Sequence, residues 1–255
     1  MMLDIDKAIA GLVFVGVRVS GLLLFAPFLG SMTVPARVKA SLAVAITALL
    51  WPAQMANVGS LTALDATKLI GSEFVIGLLM GLSVALIFDA VQLSGQVLGL
   101  QMGYSLVNIM DPQTQVDTPV LALFHQTIAM LIFLRLDVHH WMLRGVARSF
   151  GYMPAGNVMT NGAVADAALR AAGGIWLAGV QIAAPALAAT MLADVALAFL
   201  GKASPQLPVL FIGLSVKNVL GLVMLISAIS LWPGLMERYF SSAVETGERL
   251  LQLAH

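Results

Sequence analysis

Long runs without charged residues are the feature that most restricts the fold of this chain. Seven such runs lie at residues 19–36, 40–64, 74–88, 90–110, 118–134, 171–193 and 218–236. An α-helix needs about 20 apolar residues to cross the hydrocarbon core of a bilayer, and several runs approach that length. Only 10% of the residues are charged, against about 25% in soluble domains. The sequence therefore predicts an all-α, polytopic membrane protein with about six hydrophobic helices.

Prolines divide these runs. The dipeptides concerned include Val34-Pro35, Trp51-Pro52, Asp111-Pro112, Thr118-Pro119, Met153-Pro154 and Trp232-Pro233. Because proline lacks an N–H and restricts the residue before it, each dipeptide marks a helix end or a kink, which favours helical hairpins. Residues 234–255 alternate apolar and charged side chains at helical spacing, which predicts an amphipathic helix at a membrane or protein surface. We expect one membrane-embedded domain over 1–255.

A polar stripe interrupts the apolar segment 89–112. It consists of Asp89, Gln92, Gln96 and Gly99, whose spacing places them on one face of a helix. Gly95, Gly99 and Gly103 add two overlapping GxxxG steps, a pattern that lets helices approach closely. An isolated carboxylate at the middle of a bilayer costs about 2.5–3.5 kcal/mol. We therefore expect the stripe to pack against protein or to line a water-filled path.

Composition excludes several classes of function. The 13 basic residues equal the 13 acidic ones, and no basic cluster indicates a nucleic-acid partner or a polybasic lipid anchor. The chain has no cysteine, which excludes disulfides and Cys-based metal or redox sites. Protease, Walker and hydrolase signatures are absent from the sequence. We expect neither an enzyme nor a cofactor.

Two adjacent histidines, His139 and His140, follow Asp137. Imidazole and carboxylate groups can bind a metal ion. Neighbouring residues on a helix, however, point about 100° apart, which favours a polar hairpin end over a metal site. The sequence therefore predicts no metal centre.

Several sequence blocks in a fixed order resemble the FliR/SctT family of type III secretion export-gate proteins, and the flagellar members more than the injectisome members. The main block is Gly95-Gln96-Val97-Leu98-Gly99-Leu100-Gln101-Met102-Gly103, followed by Asp111-Pro112-Gln113. Others are Pro35-Ala36-Arg37-Val38-Lys39, Asp137-Val138-His139-His140 and Ala184-Pro185-Ala186-Leu187. The likeness covers nearly the whole chain. It departs at Pro208, where the family usually has asparagine, and the proline removes a donor.

The resemblance implies an all-helical subunit of a hetero-oligomeric export gate in the bacterial inner membrane, at the flagellar basal body. Its implied partners are the FliP and FliQ subunits, FlhB, unfolded flagellar export substrates that pass transiently, and membrane lipid. The implied function is protein export, without catalysis and without a nucleic-acid partner.

The resemblance also implies that the loop at about 103–119 projects into the channel as a plug. The candidate plug residues are Gly103, Tyr104, Leu106, Val107, Ile109, Met110 and Pro112. The apolar side chains would block ions, and Gly103 and Pro112 would be the ends at which the loop swings. An ordinary ordered turn between helices is the alternative.

Charges within the apolar runs leave a different class of function open. Glu73, Asp89 and Asp194 could carry protons or substrate in a small secondary transporter or ion channel. Hydrogen bonding across a helix interface is the other explanation for these carboxylates. A transporter would work alone or as a symmetric oligomer, whereas an export gate requires unlike partners.

Overall fold

The computed structural model describes residues 2–27, 29–31, 34–53, 63–104, 119–155, 163–206 and 208–253. These residues form α-helices and no strand, which confirms the all-α prediction. The helices are α1 (Met2–Phe25), α2 (Ala36–Leu50), α3 (Ala63–Gln101), α4 (Val120–Arg135), α5 (Val138–Tyr152), α6 (Ala163–Ala203), α7 (Val209–Ile229) and α8 (Trp232–Leu253). A short 3-10 turn, Trp51–Ala53, follows α2.

Four described helices are long and apolar enough to cross a membrane. The candidate spans are Ala8–Phe25, Asp65–Gln101, Ala172–Ala203 and Phe211–Ile229. The bent pair α4 and α5 gives a fifth candidate if the two helices are one broken span. This number is close to the six predicted, and it indicates a membrane location.

The ends of the helices differ from the ends of the apolar runs. Run 74–88 and the first part of run 90–110 belong to one helix, because the 39-residue α3 continues through Asp89 without a break. One polar side chain leaves the local backbone hydrogen bonds intact and so does not end a helix. Run 19–36 is instead divided, since α1 ends at Phe25 and α2 begins directly after Pro35.

The lengths of α3 and α6 exceed what one perpendicular crossing requires. At 1.5 Å per residue, the 39 residues of α3 and the 41 residues of α6 extend over about 58 Å and about 62 Å. The hydrocarbon core of a bilayer is about 30 Å thick. Both helices therefore have ends beyond the hydrocarbon core or cross it at a tilt.

Tertiary contacts group the residues into two compact units. The first comprises Met1–Ile87, Leu134–Gly173 and Tyr239–His255, and the second comprises Phe88–Phe133 and Gly174–Arg238. Helices α3, α4, α6 and α8 contribute residues to both. The prediction of one domain over 1–255 stays a prediction.

In the first unit, glycines allow α1 and α3 to approach closely. A Cβ atom on Gly77 would overlap the backbone carbonyl of Arg18, and one on Gly21 would overlap that of Phe74. The amphipathic helix α8 also packs in this unit. Its Phe240 is fully buried, and a Cβ on Gly247 would lie 3.1 Å from the hydroxyl of Ser83 on α3.

In the second unit, α3, α4, α6 and α7 surround one apolar cluster. Its buried members are Leu98, Met102, Leu121, Ala183, Ala186 and Leu225. Gly95 brings α3 against α4, since a Cβ there would overlap the backbone of Ala122. This cluster lies at the C-terminal end of α3, directly before the segment that the sequence predicts to be the plug.

Candidate functional site

Helix α3 ends at Gln101, and the residues up to Tyr104 close it with a defined hydrogen-bonded cap. The N–H of Tyr104 donates to the carbonyl of Gly99 at 2.9 Å, and the N–H of Gly103 donates to that of Leu100 at 3.1 Å. This pair of bonds is the Schellman motif, in which the residue after the helix is left-handed. Gly103 has φ of 84°, a value that glycine adopts without steric cost. The predicted plug loop therefore begins at a fixed helix end.

The apolar cluster holds the chain at the point where the predicted loop begins. Met102 is fully buried, and a Cβ on Gly221 of α7 would lie 2.7 Å from its sulfur. Tyr104 is partly buried against the same cluster. Of the other candidate plug residues, Leu106, Val107, Ile109, Met110 and Pro112 lie outside the described residues, and their role stays a prediction.

A polar contact joins the end of α3 to α6 and α7. The side-chain amide of Gln101 donates to Oδ2 of Asp194 at 2.8 Å, and the Lys217 ammonium lies 3.0 Å from Oδ1 of the same carboxylate. Both oxygens of Asp194 thus have a partner. The sequence identifies Asp194 as a charge at the edge of an apolar run but does not indicate its partner. The only signal was one acid and one base at the edges of neighbouring apolar runs.

The members of the polar stripe do not share one environment in this chain. Gly99 is buried, Gln92 and Gln96 are half-buried, and Asp89 is exposed. Gly99 lies near Pro119 at the start of α4. Among the described residues, the side chain of Asp89 has no hydrogen-bond or ion-pair partner. Its carboxylate is therefore open to whatever surrounds this part of α3.

A buried network in the first unit connects residues of three helices that lie far apart in the sequence. Arg18 and Glu73 are both fully buried, and Nε of Arg18 lies 2.6 Å from Oε2 of Glu73. The same guanidinium donates to the hydroxyl of Ser149 and to the carbonyl of Met153, each at 3.0 Å. It also lies 4.0 Å from the ring centroid of Phe150. The network joins α1, α3 and the C-terminal end of α5.

The hydroxyl of Ser149 completes the hydrogen bonding of the guanidinium. It donates to the carbonyl of Val146 at 2.6 Å, so its oxygen is free to accept from Arg18. A buried cation requires such partners, because the loss of hydration costs several kcal/mol per ion. Arg18 and Glu73 each border an apolar run of the sequence, but they are separated by 55 positions, so no helical spacing relates them.

Residues 9–243 match the family model described as bacterial export proteins, family 1. The chain belongs to this family.

Curated members of the family are similar over most of their length. Flagellar biosynthetic protein FliR of Escherichia coli strain K12 is 31% identical over 224 residues, which covers 88% of this chain and 86% of that protein. FliR of Pectobacterium carotovorum is 31% identical, with 90% of this chain and 88% of that protein covered. FliR of Bacillus subtilis strain 168 is 32% identical, with 71% of each covered. The resemblance inferred from sequence blocks is confirmed.

Nothing in this member of the export-protein family favours the transporter or channel alternative. Glu73 is fully buried and paired with Arg18. Asp194 is paired with Lys217 and hydrogen-bonded to Gln101. Two of the three carboxylates proposed to carry protons or substrate therefore join helices together.

Proposed function

We propose that this protein is a subunit of the flagellar protein export gate in the bacterial inner membrane, at the flagellar basal body. It would help to form the channel through which unfolded flagellar subunits pass and would plug that channel with the loop at 103–119. The supporting observation is the family match over residues 9–243, together with similarity to FliR proteins along most of their length. The chain is a component of the flagellar export apparatus. The proposed function is passage of protein and not catalysis.

The proposed partners are FliP and FliQ subunits, FlhB and membrane lipid. A large apolar surface supports contacts beyond this chain. Only 22% of an 18-residue stretch of the candidate span Ala172–Ala203 and 17% of such a stretch in Phe211–Ile229 are buried within the chain. Trp176, Phe199 and Phe211 are each about two-thirds exposed or more, at 67%, 69% and 73%. Apolar surface of this extent is typical of a face covered by lipid or by other subunits.

The role of Asp89 depends on whether lipid or another subunit covers its face of α3. A carboxylate that faces lipid costs about 2.5–3.5 kcal/mol at the middle of the bilayer, so its removal would favour insertion. A carboxylate that binds a donor or a cation on a neighbouring subunit would instead be required for assembly. We propose the second role for the stripe of Asp89, Gln92, Gln96 and Gly99.

The substitution Asp89→Leu should therefore reduce co-purification of the companion gate subunits by about 10-fold or more, because removal of one partner of a buried charged pair costs about 2–5 kcal/mol. The measurement is a mild-detergent pull-down of the tagged full chain from its native cell, with mass spectrometry of the recovered proteins. Asp89→Asn serves as the matched variant, since it keeps hydrogen bonding, and its loss should be smaller.

Two results of this pull-down would count against the proposal at different levels. Normal recovery of FliP and FliQ with Asp89→Leu would contradict the role of Asp89 while leaving the gate function intact. Recovery of the wild-type chain alone, or only as a homo-oligomer, would contradict the gate function itself and favour a transporter. Recovery of the companion subunits with the wild type, but not with Asp89→Leu, would support both the gate function and the role of Asp89.

The proposed plug begins with residues that are held in place and continues with apolar residues. Gly103 and Tyr104 are held at the end of α3 by the Schellman cap and by the apolar cluster. Beyond them, the sequence at 106–110 contains Leu106, Val107, Ile109 and Met110. Apolar side chains in a constriction exclude ions, and they hydrogen-bond little with a passing chain. Such a plug would tolerate many different export substrates.

Replacement of residues 106–110 by glycine and serine should raise ion leak severalfold in cells that assemble the gate, because the apolar barrier is lost. The measurement is the membrane conductance or the ion sensitivity of those cells. The matched control is the same replacement at 156–160, a segment for which no plug role is proposed, and it should leave the leak unchanged. Equal leak in wild type and both variants would argue that 103–119 is an ordinary connection.

A further inference from the structure

The break between α4 and α5 contains an unusual aspartate. Asp137 adopts the left-handed conformation, with φ of 54° and ψ of 32°, directly before the first turn of α5. Aspartate at this position ordinarily accepts a hydrogen bond from an N–H of the first turn. The side chain of Asp137 makes no such capping bond. Its carboxylate is directed instead at two imidazole rings.

The two rings belong to His139 and His140. Nδ1 of His140 lies 3.4 Å from Oδ1 of Asp137, and Nε2 of His139 lies 3.8 Å from the same oxygen. The three potential ligand atoms all lie within 4.8 Å of one another. A tetrahedral zinc ion with ligands at about 2.0–2.1 Å keeps those ligands about 3.4 Å apart. Two of the three separations are therefore already close to those of a zinc site.

Helical spacing alone predicts no metal site at these histidines, and the geometry explains the difference. Adjacent residues on a helix point about 100° apart, but His139 offers its Nε2 and His140 its Nδ1. Both atoms lie within 3.8 Å of the same oxygen, Oδ1 of Asp137. The ring centroids are only 4.2 Å apart. The left-handed Asp137 lies outside the regular helix and so can reach both.

We propose that Asp137, His139 and His140 bind a divalent transition-metal ion, with Zn²⁺ as the ion that the donor set fits. Two imidazole nitrogens and one carboxylate oxygen match the ligands of zinc, whereas Mg²⁺ and Ca²⁺ prefer oxygen ligands alone. The side chains of Asp137 and His140 are 64% and 56% exposed, so an ion can enter and water can take the fourth position. The bound ion would hold the first turn of α5 to the residue that precedes it.

The test is a titration of the full-length chain, purified with a tag that contains no histidine, with Zn²⁺ in competition with a chromophoric chelator. The wild type should bind one Zn²⁺ that Asp137→Asn and His140→Gln each weaken by about 10-fold or more, since even second-shell changes cost 10–100-fold. Asparagine adopts the left-handed conformation readily, so Asp137→Asn should retain the backbone. His255→Gln is the control and should bind zinc as the wild type does.

Two results would overturn the proposal. One is wild-type zinc binding no stronger than that of the double variant Asp137→Asn/His140→Gln, which would mean that the histidines form only hydrogen bonds or ion pairs with the carboxylate. The other is loss of binding in His255→Gln, which would place the ion elsewhere. Equal thermal unfolding of all variants without zinc would show that lost binding is not lost folding.

Discussion

Replacement of Glu73 by leucine is expected to lower the free energy of unfolding by about 3–5 kcal/mol, because the buried Arg18 would lose its counter-charge. Both side chains are fully buried, with 2.6 Å between nitrogen and oxygen. The hydrogen bonds to Ser149 and Met153 would remain, but neither partner carries a compensating negative charge. Chemical unfolding of the purified chain in mild detergent measures the change.

The double variant Arg18→Met/Glu73→Leu distinguishes the cost of an unpaired charge from the cost of altered packing. Removal of both charges together is often neutral or even stabilising when apolar side chains of similar volume replace them. We therefore expect the double variant to be more stable than Glu73→Leu alone. If the double variant lowers the free energy of unfolding by as much as the two single variants together, the pair contributes mainly through packing and not through charge.

An exposed ion pair in the same unit supplies the matched control. Arg249 lies 3.7 Å from Glu245, and their side chains are 75% and 65% exposed. Such surface pairs contribute only about 0–1 kcal/mol, since water screens the charges. Arg249→Gln should therefore change stability little. A loss as large as that of Glu73→Leu would show that burial is not the cause of the effect.

Substitution of Gly77 by alanine is the second change expected to have a large effect. Its Cβ would overlap the carbonyl oxygen of Arg18 and would lie 2.9 Å from the backbone nitrogen of Leu22. Backbone atoms cannot rotate away as a flexible side chain can, so α1 and α3 would have to separate. Overpacking of this kind costs about 1–3 kcal/mol, and more where backbone must move. The same unfolding measurement applies.

Substitution of Gly71, also on α3, by alanine is expected not to destabilise the protein. A Cβ at Gly71 would meet no other atom within 4 Å. Alanine is favoured over glycine within a helix by about 0.8–1.0 kcal/mol, so Gly71→Ala should be neutral or stabilising. The difference in sign between the two glycines tests whether the contact between α1 and α3 is as close as described. Destabilisation by both substitutions would indicate a general intolerance of α3 instead.

The sequence by itself determined the class of this protein and its family. Apolar runs, scarce charge and proline positions are local features, and each acts on the chain regardless of how distant segments pack. They were enough to predict helices and a membrane location and to mark 89–112 as unusual, while the resemblance to the export-gate family came from the order of specific sequence blocks. They were not enough to place helix ends, because Asp89 interrupts an apolar run without breaking the hydrogen bonds of α3.

Only the tertiary structure decided what the marked polar residues contact. Arg18 and Glu73 are 55 positions apart, and Gln101 and Asp194 are 93 apart, so no helical period relates them. Pairing at such separation depends on how helices cross, which glycines such as Gly77 and Gly95 permit by leaving room for backbone. The cluster of Asp137, His139 and His140 likewise depends on one left-handed residue. Helical spacing is a property of the local backbone, whereas these contacts depend on the packing of helices and on one departure from helical geometry.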